Sequence, residues 1–508
     1  MWLKIERTWS SLRRSDFFLV LMVTGLAYGL YWSTVAPTVL WGDDGHLQLN
    51  AVQYFLQGSA GSHPMWVWIA HQFTRFLGGD IARRVNLVSS VFGALTVGLL
   101  FALLRELGLK RAASLLTVLA FMVSHTFWQH AVRAEVYTLT MAVLVLFAWL
   151  GLRWFHTGNP WVLIAAALVF GLGLGVHLLI GLYAPACLWL LWRRRPHWRT
   201  LLGAGLALAL GMVPLLLLLA RDTVTLHLQG MEILRWALFS FESYDFSGAM
   251  MDYSLRWLAD DAFQWVFFLI FQFVGLAAIC GFVGLLRVWK RLPMAETIYV
   301  ALIYAVVFVF AFAYRVGDRY VFYMPSYVAF AVWMTVGFEV FLELLHRKVP
   351  QRGRLWLGYA AVALALLLVP VGTYRLVPEL VERGLSFRDG GRVPGPAGKT
   401  FFLWPAKNGY TDPRDLCTAL LTETPPGVAL LSDFITYSPM RFLQLVEGIE
   451  PDVQLELISG DIVEVLMRGP WSVIAIPKHL IDNTQWIQLA TAHTLTDLGS
   501  LYLLTDKQ

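Results

Sequence analysis

Charged side chains are scarce in this chain. Lys, Arg, Asp and Glu make up 14% of its 508 residues and hydrophobic types 58%. Soluble domains carry about 25% charged and about 45–50% apolar residues, so the composition excludes an ordinary soluble protein and requires a polytopic membrane protein. Cysteine is nearly lacking too. Cys187, Cys280 and Cys417 lie far apart, which excludes a disulfide framework and any cysteine-based metal spacing. No His-Glu-x-x-His pair and no EF-hand loop occurs, and no internal repeat stands out. The more polar C-terminal stretch shows no Gly-x-Gly-x-x-Gly, Walker or nucleophile-elbow pattern. The net charge of +5 reflects basic loops between apolar runs, and no nucleic-acid partner is expected.

What the chain has in excess is aromatic residues, 22 Trp and 33 Phe among them, which collect at bilayer interfaces. A basic start (Lys4, Arg7, Arg13, Arg14) leads into an apolar run from Phe17 to about Leu40. It is too long for a signal-peptide core and lacks a cleavage site, so it reads as a retained span with a cytoplasmic N-terminus. Further spans are expected at 85–104, 112–129, 134–154, 160–177, 178–193, 201–219, 263–287, 294–313, 320–342 and 355–375, about eleven helices in all. Every second loop is basic (Arg105, Lys110, Arg111; Arg193, Arg194, Arg195, Arg199; Arg287, Lys290, Arg291; Arg347, Lys348, Arg352, Arg354), as the positive-inside rule requires. The odd count sends the C-terminus outside.

Two outer segments are too short to span. Residues 44–57 and 64–77 show helical apolar stripes separated by GSAGSHP, and they read as helices in the interface plane. The expected division is a membrane domain, 1–375, with outer loops 37–84 and 220–262, followed by a soluble domain, 376–508. In the latter, helices at 412–423, 437–447, 461–467 and 481–492 alternate with strands at 428–432, 453–458, 472–476 and 499–504. That order predicts a small extracytoplasmic α/β domain. GVALLSD and WSVIAI are apolar throughout, as strands covered on both faces would be.

The most informative stretch is WGDDGHLQLNAVQYFLQ, residues 41–57, directly after the first span. A charge in hydrocarbon costs about 3 kcal/mol or more, so Asp43 and Asp44 side by side at the bilayer surface invite a functional reading. Capping of the 47–55 helix is the alternative. On the expected topology other polar residues gather on the same side: His46, His63, Arg83, Arg84, His125, Gln129, His130, Arg133, Glu135, Tyr137, His177, Arg315, Asp318, Arg319 and Tyr320. Each has a structural reading of its own. Glu135 suits a helix start, Arg133 suits an interface anchor, His177 suits a hydrogen-bonded core histidine, and Arg315 and Arg319 suit ion pairs with Asp318. Their co-location carries the signal. A carboxylate takes a proton from an attacking hydroxyl, arginines hold phosphate oxygens, and apolar grooves hold a lipid tail. Asp43, Asp44 and Glu135 also supply oxygen ligands of the kind a divalent cation accepts, although nothing in the sequence makes a metal obligatory.

Three blocks carry a resemblance: WGDDGHLQLNAVQYFLQGSAGSHPMWVWIAHQF, DIARRVNLVSSVFGALTVGLLFALLREL and FWQHAVRAEVYTLTMAVLVLFAWLGLRW. They resemble the bacterial and animal family that includes the transmembrane protein O-mannosyltransferase acting on plexin-type domains. That family is similar to the wider GT-C class, multi-span glycosyltransferases that use a lipid-linked donor. The likeness lies mainly in the first 200 residues. It implies that Asp43 is the catalytic base, that Glu135 is the Glu of the AEVY block, and that His63-Pro64 is the His-Pro of the second loop. The family pattern D-S-G-E stands here as Asp43, Asp44, Gly45 and His46, so His46 replaces an acidic residue.

The resulting expectation is a GT-C-like membrane glycosyltransferase. It would move a sugar, such as mannose, from a polyprenyl-phosphate donor to a hydroxyl on a protein, lipid or glycan. Asp43, Asp44 and Glu135 form the catalytic set; His46, His63, Arg83, Arg84, Arg133, Tyr137, His177, Arg315 and Arg319 are the substrate-binding candidates. The alternatives are a transporter or flippase of a lipid-linked sugar, which would need charged or broken helices at mid-bilayer, and an inactive membrane scaffold.

Overall fold

The computed structural model describes residues 14–76, 78–239, 257–349, 352–384, 393–394, 398, 400–458, 462, 465–466 and 472–506. The basic residues before Arg14, much of the 220–262 loop, most of GGRVPGPAGK and most of the expected 461–467 helix lie outside the described residues.

Among the described residues, seven helices are long and apolar enough to cross a bilayer: Ser15–Thr34, Ile81–Glu106, Tyr137–Thr157, Trp198–Thr225, Met294–Ala313, Arg319–Lys348 and Leu355–Glu382. An eighth candidate is the pair Leu258–Gln272 and Leu276–Lys290, bent by 116°. The bend falls where Gly275 takes φ +70°, which suits a residue without Cβ. Three of the eleven expected spans are shorter helices. The 112–129 run divides into Arg111–Met122 and His125–His130, 160–177 is Pro160–Leu174, and 178–193 is a 3₁₀ turn followed by Ala184–Arg194. At 1.5 Å per residue, 12–15 residues reach only about 20 Å of a core about 30 Å thick. Apolar composition runs on through these breaks, whereas the backbone does not. At the last of them the His177 side chain accepts from Leu179 N–H (3.1 Å) and starts a new turn.

Close helix contacts use glycine. A Cβ on Gly284 would strike the Trp333 carbonyl, and one on Gly337 the Cys280 carbonyl. Helices Leu276–Arg287 and Tyr327–Lys348 therefore meet backbone to backbone, the packing mode available where lipid removes the hydrophobic incentive to associate. Trp198–Thr225 instead turns Leu206, Leu210 and Leu217 outward, each about two-thirds exposed, as a lipid-facing helix would.

Gly42–Gln53 and Pro64–Phe76 are the two short helices between the first two spans. Both are amphipathic: Leu47, Ala51, Trp66, Val67 and Ala70 face the bundle, while Trp68 and Phe76 face away. The C-terminal sheet has the order β2-β1-β3-β5-β4, with β1 Ala429–Ser432, β2 Leu455–Leu457, β3 Val473–Pro477, β4 His493–Asp497 and β5 Leu501–Asp506. The first three pair in parallel, and β5 runs antiparallel to both β3 and β4. Successive residues Leu430 and Leu431, and Ile474, Ala475 and Ile476, are all buried, so both sheet faces are covered. β4 was not expected, because HTLTD is polar at four of its five positions and sits on an exposed edge.

The sheet's helix Phe434–Glu447 lies on Gly42–Gln53. Gly45 makes this possible: a Cβ there would sit 2.8 Å from Leu40 O and 3.0 Å from Pro439 N. The DDGH turn thus lies between the membrane bundle and the α/β layer, with Asp43 exposed.

Candidate active site

The cluster forms on two loops that the RRVNLVSS segment holds in place. Asn86 donates to the carbonyls of Ala36 and Thr38 (both 3.1 Å) and accepts from Gln48 (2.8 Å), whose own side-chain oxygen accepts from Leu40 N–H. The loop entering Asp43 and Asp44 is thereby fixed. One turn further on, Ser90 donates to Ala131 O (2.8 Å) and Ser89 to Glu135 O (3.0 Å), and Trp66 Nε1 also donates to Glu135 O (3.1 Å). The second loop is fixed by the same helix. Tyr137–Thr157 begins two residues after Glu135, so Glu135 precedes that span.

Arg133 joins the two loops. Its Nη1 lies 3.1 Å from Asp44 Oδ2 and its Nη2 3.0 Å from Glu135 Oε1. Nη2 also donates to His130 Nε2 (2.9 Å), while His130 Nδ1 donates to Thr126 O (2.7 Å). One hydrogen on Nδ1 and a lone pair on Nε2 make this a neutral imidazole. Burial and the adjacent guanidinium hold its pKa well below the usual histidine value, so the 4.0 Å approach of His130 to Glu135 is not an ion pair. Asp44, His130, Arg133 and Glu135 are all buried, whereas Asp43 is exposed.

Two buried carboxylates share one guanidinium. Burial raises Asp44 to about 7, Arg133 pulling it down and Asp43 pushing it up. Burial likewise raises Glu135, with Arg133 opposing and Asp44, Asp43 and Asp318 adding repulsion. Near neutral pH the pair therefore retains a proton. Asp318, at the start of Arg319–Phe322, faces the same cluster, and desolvation among its neighbours, with repulsion from Asp43, pushes its carboxyl up to about 6.

Aromatic rings line the rest. His130 lies edge-on to Tyr137 (5.2 Å), Tyr137 is 5.6 Å from His177, and His177 stacks on His63 at 4.9 Å. His63 donates from Nδ1 to Val176 O (2.8 Å) at a φ of +52°. Burial keeps it neutral, down to about 4. His46 meets Asn50 Nδ2 through Nε2 (2.9 Å) and lies 6.2 Å from the Phe434 ring, at the seam with the α/β layer.

The structure thus brings together Asp43, Asp44, His46, His63, Arg133, Glu135, Tyr137 and His177. It does not bring in four of the candidate arginines. Arg84 donates to the carbonyls of Gly79 and Thr74, closing the end of Pro64–Phe76, and Arg83 lies over Trp32 at 5.7 Å. Arg315 and Arg319 pair with Asp261 (2.7 and 2.8 Å), and Arg319 also with Gln264. The expected partner was Asp318; Asp261 wins because the helix Leu258–Gln272 presents its first turn to both guanidinium groups. Sequence reasoning missed Lys407, Phe401 and Phe402 altogether. Arg133 lies 5.9 Å from the Phe401 ring and 6.0 Å from Phe402, and no local pattern in TFFLWPAKNGY points to residue 133. Among the described residues no three His, Cys, Asp or Glu side chains are arranged to hold a metal ion.

Fold and comparison bear on the class: the chain is a multi-pass membrane protein whose fold is similar to that of solved glycosyltransferases, and one segment of it matches a glycosyltransferase family model. Residues 43–201 match the family model of the Protein O-mannosyl-transferase TMEM260 N-terminal domain, the segment that holds Asp43, Asp44, Arg133 and Glu135. Over nearly its whole length the chain resembles the crystal structure of ArnT from Cupriavidus metallidurans bound to undecaprenyl phosphate, with 14% identity, 97% of this chain and 99% of that one covered, and a TM-score of 0.54. It is also similar to the arabinofuranosyltransferase AftD from Mycobacteria, at 12% identity, 98% and 40% coverage and a TM-score of 0.52.

Proposed function

We propose that the chain transfers a sugar, mannose by analogy with the matched domain, from a polyprenyl-phosphate donor to an acceptor hydroxyl outside the cytoplasm. The observation that carries this reading is an exposed carboxylate, Asp43, directly beside the buried Asp44–Arg133–Glu135 unit. Asp43 takes the proton of the acceptor hydroxyl. The freed oxygen attacks the anomeric carbon, the bond from that carbon to the phosphate oxygen breaks, and polyprenyl phosphate leaves with the electron pair. Asp44 and Glu135, held by Arg133, orient the sugar. Asp44 Oδ1 is buried with no hydrogen-bond partner among the described residues, and a sugar hydroxyl would satisfy it. His63, His177 and Tyr137 line the donor side.

The donor's lipid has a matching surface. An apolar groove of about 260 Å³ runs between Leu56, Pro64, Met65 and Trp68 on one side and Pro214, Leu215, Leu217 and Leu218 on the other. It begins one residue from His63 and suits an isoprenoid chain. ArnT's bound undecaprenyl phosphate supports the same class of carrier. The alternation of basic loops supports a cytoplasmic N-terminus, a membrane part before residue 376, and an α/β domain on the acceptor side.

Among the described residues, the bent pair around Gly275 is a feature that a transporter would share. Its polar residue at the bend, Gln272, is satisfied by Thr126 N (2.7 Å) and Thr126 Oγ1, and this favours a structural bend. The test is release of undecaprenyl phosphate from undecaprenyl-phosphate mannose in detergent, with water or an added alcohol as the hydroxyl that takes the sugar. Asp43→Asn should abolish release while donor binding persists. Full activity in both Asp43→Asn and Asp44→Asn would overturn the assignment. Glycan mass spectrometry of cells with and without the gene would identify sugar and acceptor together.

A further inference from the structure

The segment 400–410 leaves the α/β layer and enters the membrane bundle. Lys407 N–H donates to Thr34 O (2.8 Å), at the end of the first span. His125 Nε2 donates to Leu403 O (3.0 Å), and Trp404 packs edge-on to Trp128 at 5.9 Å. Tyr410 accepts from Trp41 Nε1 (2.7 Å), one residue before Gly42. The Lys407 side chain is 3% exposed, and a buried lysine needs compensation. Its Nζ donates to the carbonyls of Phe401 (2.8 Å) and Trp404, and lies 4.8 Å from the centre of the Phe401 ring. Two carbonyl oxygens and a ring face are all acceptors. They suit the three protons of an ammonium and offer no donor to an amine lone pair. The Phe401 ring is also 5.9 Å from the Arg133 guanidinium.

We propose that Lys407 is a positioning residue for the transfer reaction: its ammonium folds the 400–404 turn so that Phe401 and Phe402 brace Arg133, and it is a second buried cation behind the Asp44–Arg133–Glu135 unit. The C-terminal layer thereby contributes to the active site from 274 residues downstream of Arg133. The charged and titratable groups facing Lys407 are Asp44, Arg133, His125 and His130. Only Asp44 is acidic, and Lys407 lowers its pKa while burial and Asp43 raise it. Burial and Arg133 draw the Lys407 pKa down, and Asp44 opposes them.

The proposal rests on the transfer chemistry above, so the test carries a control for that reading. Lys407→Met and Lys407→Arg are compared with wild type for undecaprenyl-phosphate release from undecaprenyl-phosphate mannose across pH. Lys407→Met should lower kcat about ten-fold or more, since a small misplacement of orienting groups costs rate steeply, with the donor KM unchanged. The acid limb of its profile should move to higher pH, because a carboxylate has lost a neighbouring cation. Lys407→Arg should restore the limb. A folded Lys407→Met enzyme with wild-type kcat and acid limb overturns the proposal. If Lys407→Met does not fold, Tyr410→Phe, which unties only the far end of the segment, decides: a fall in kcat at constant KM supports the proposal, and no change overturns it. Asp43→Asn is the control. Activity persisting there bears on the choice of Asp43 as base, whereas absence of release by wild type overturns the transfer reading, whatever Lys407 does.

Discussion

Arg133 is the residue on which the cluster depends. Replacing it with Met leaves Asp44 and Glu135 buried without their shared guanidinium, which costs about 3–5 kcal/mol when one partner of a buried pair is removed. Thermal unfolding in detergent should show the loss, and it should shrink on acidification as the two carboxyls take up protons. Asp44 gives the complementary pH signature. Its carboxyl stands at about 7 in the fold against 3.8 when unperturbed, so between these values the folded state holds a proton that the unfolded state has released. Stability contributed at this site is present below the lower value and is lost as pH rises through the upper one. Wild type should therefore lose stability relative to Asp44→Asn as pH rises from about 4 to about 7, and the two unfolding curves should run parallel above that. Much of this residue-level picture was legible in the sequence. Asp43, Asp44, Arg133 and Glu135 stood out because charges are costly beside a bilayer. Their division of labour was not, because burial of Asp44 against exposure of Asp43 depends on which way one helical turn faces.

At the scale of elements, the seam between Gly42–Gln53 and Phe434–Glu447 is the sensitive one. Gly45→Ala places a Cβ against Leu40 O and the Pro439 backbone, where neither neighbour can yield cheaply. Overpacking of this kind costs about 1–3 kcal/mol. The variant should unfold at lower temperature and transfer more slowly, since Asp43 and Asp44 precede Gly45 in the same turn. Gly284→Leu should be more severe, because it forces apart two backbones within the bundle. Solubilised yield and thermal unfolding would rank the two. Long helices such as Ile81–Glu106 were readable from apolar length alone. The shorter ones were not, because a capping His177 or a positive φ at Gly275 breaks the backbone without breaking the apolar run.

For the whole molecule, the orientation proposed from the basic loops puts the α/β layer outside. A cysteine introduced at the exposed Thr422 should react with a membrane-impermeant maleimide in intact cells. Protection in intact cells together with labelling after lysis would invert the topology. Most of the strands and helices of this layer could be placed from their local pattern. Its attachment to the Asp44–Arg133–Glu135 cluster could not, since the Trp41–Tyr410 bond spans 369 positions and pairings so distant leave no trace in a local window.

That separation also sets when the enzyme becomes competent during its own synthesis. The spans emerge from the ribosome first, carrying Asp43, Asp44, Arg133 and Glu135, and domains fold in the order in which they are made. Lys407 and the Phe401 ring follow only after the last span is complete. A nascent chain halted before residue 400 would hold its carboxylates and its guanidinium without the Phe401 ring and the second cation, so the proposed site would stay incomplete until translation had nearly ended.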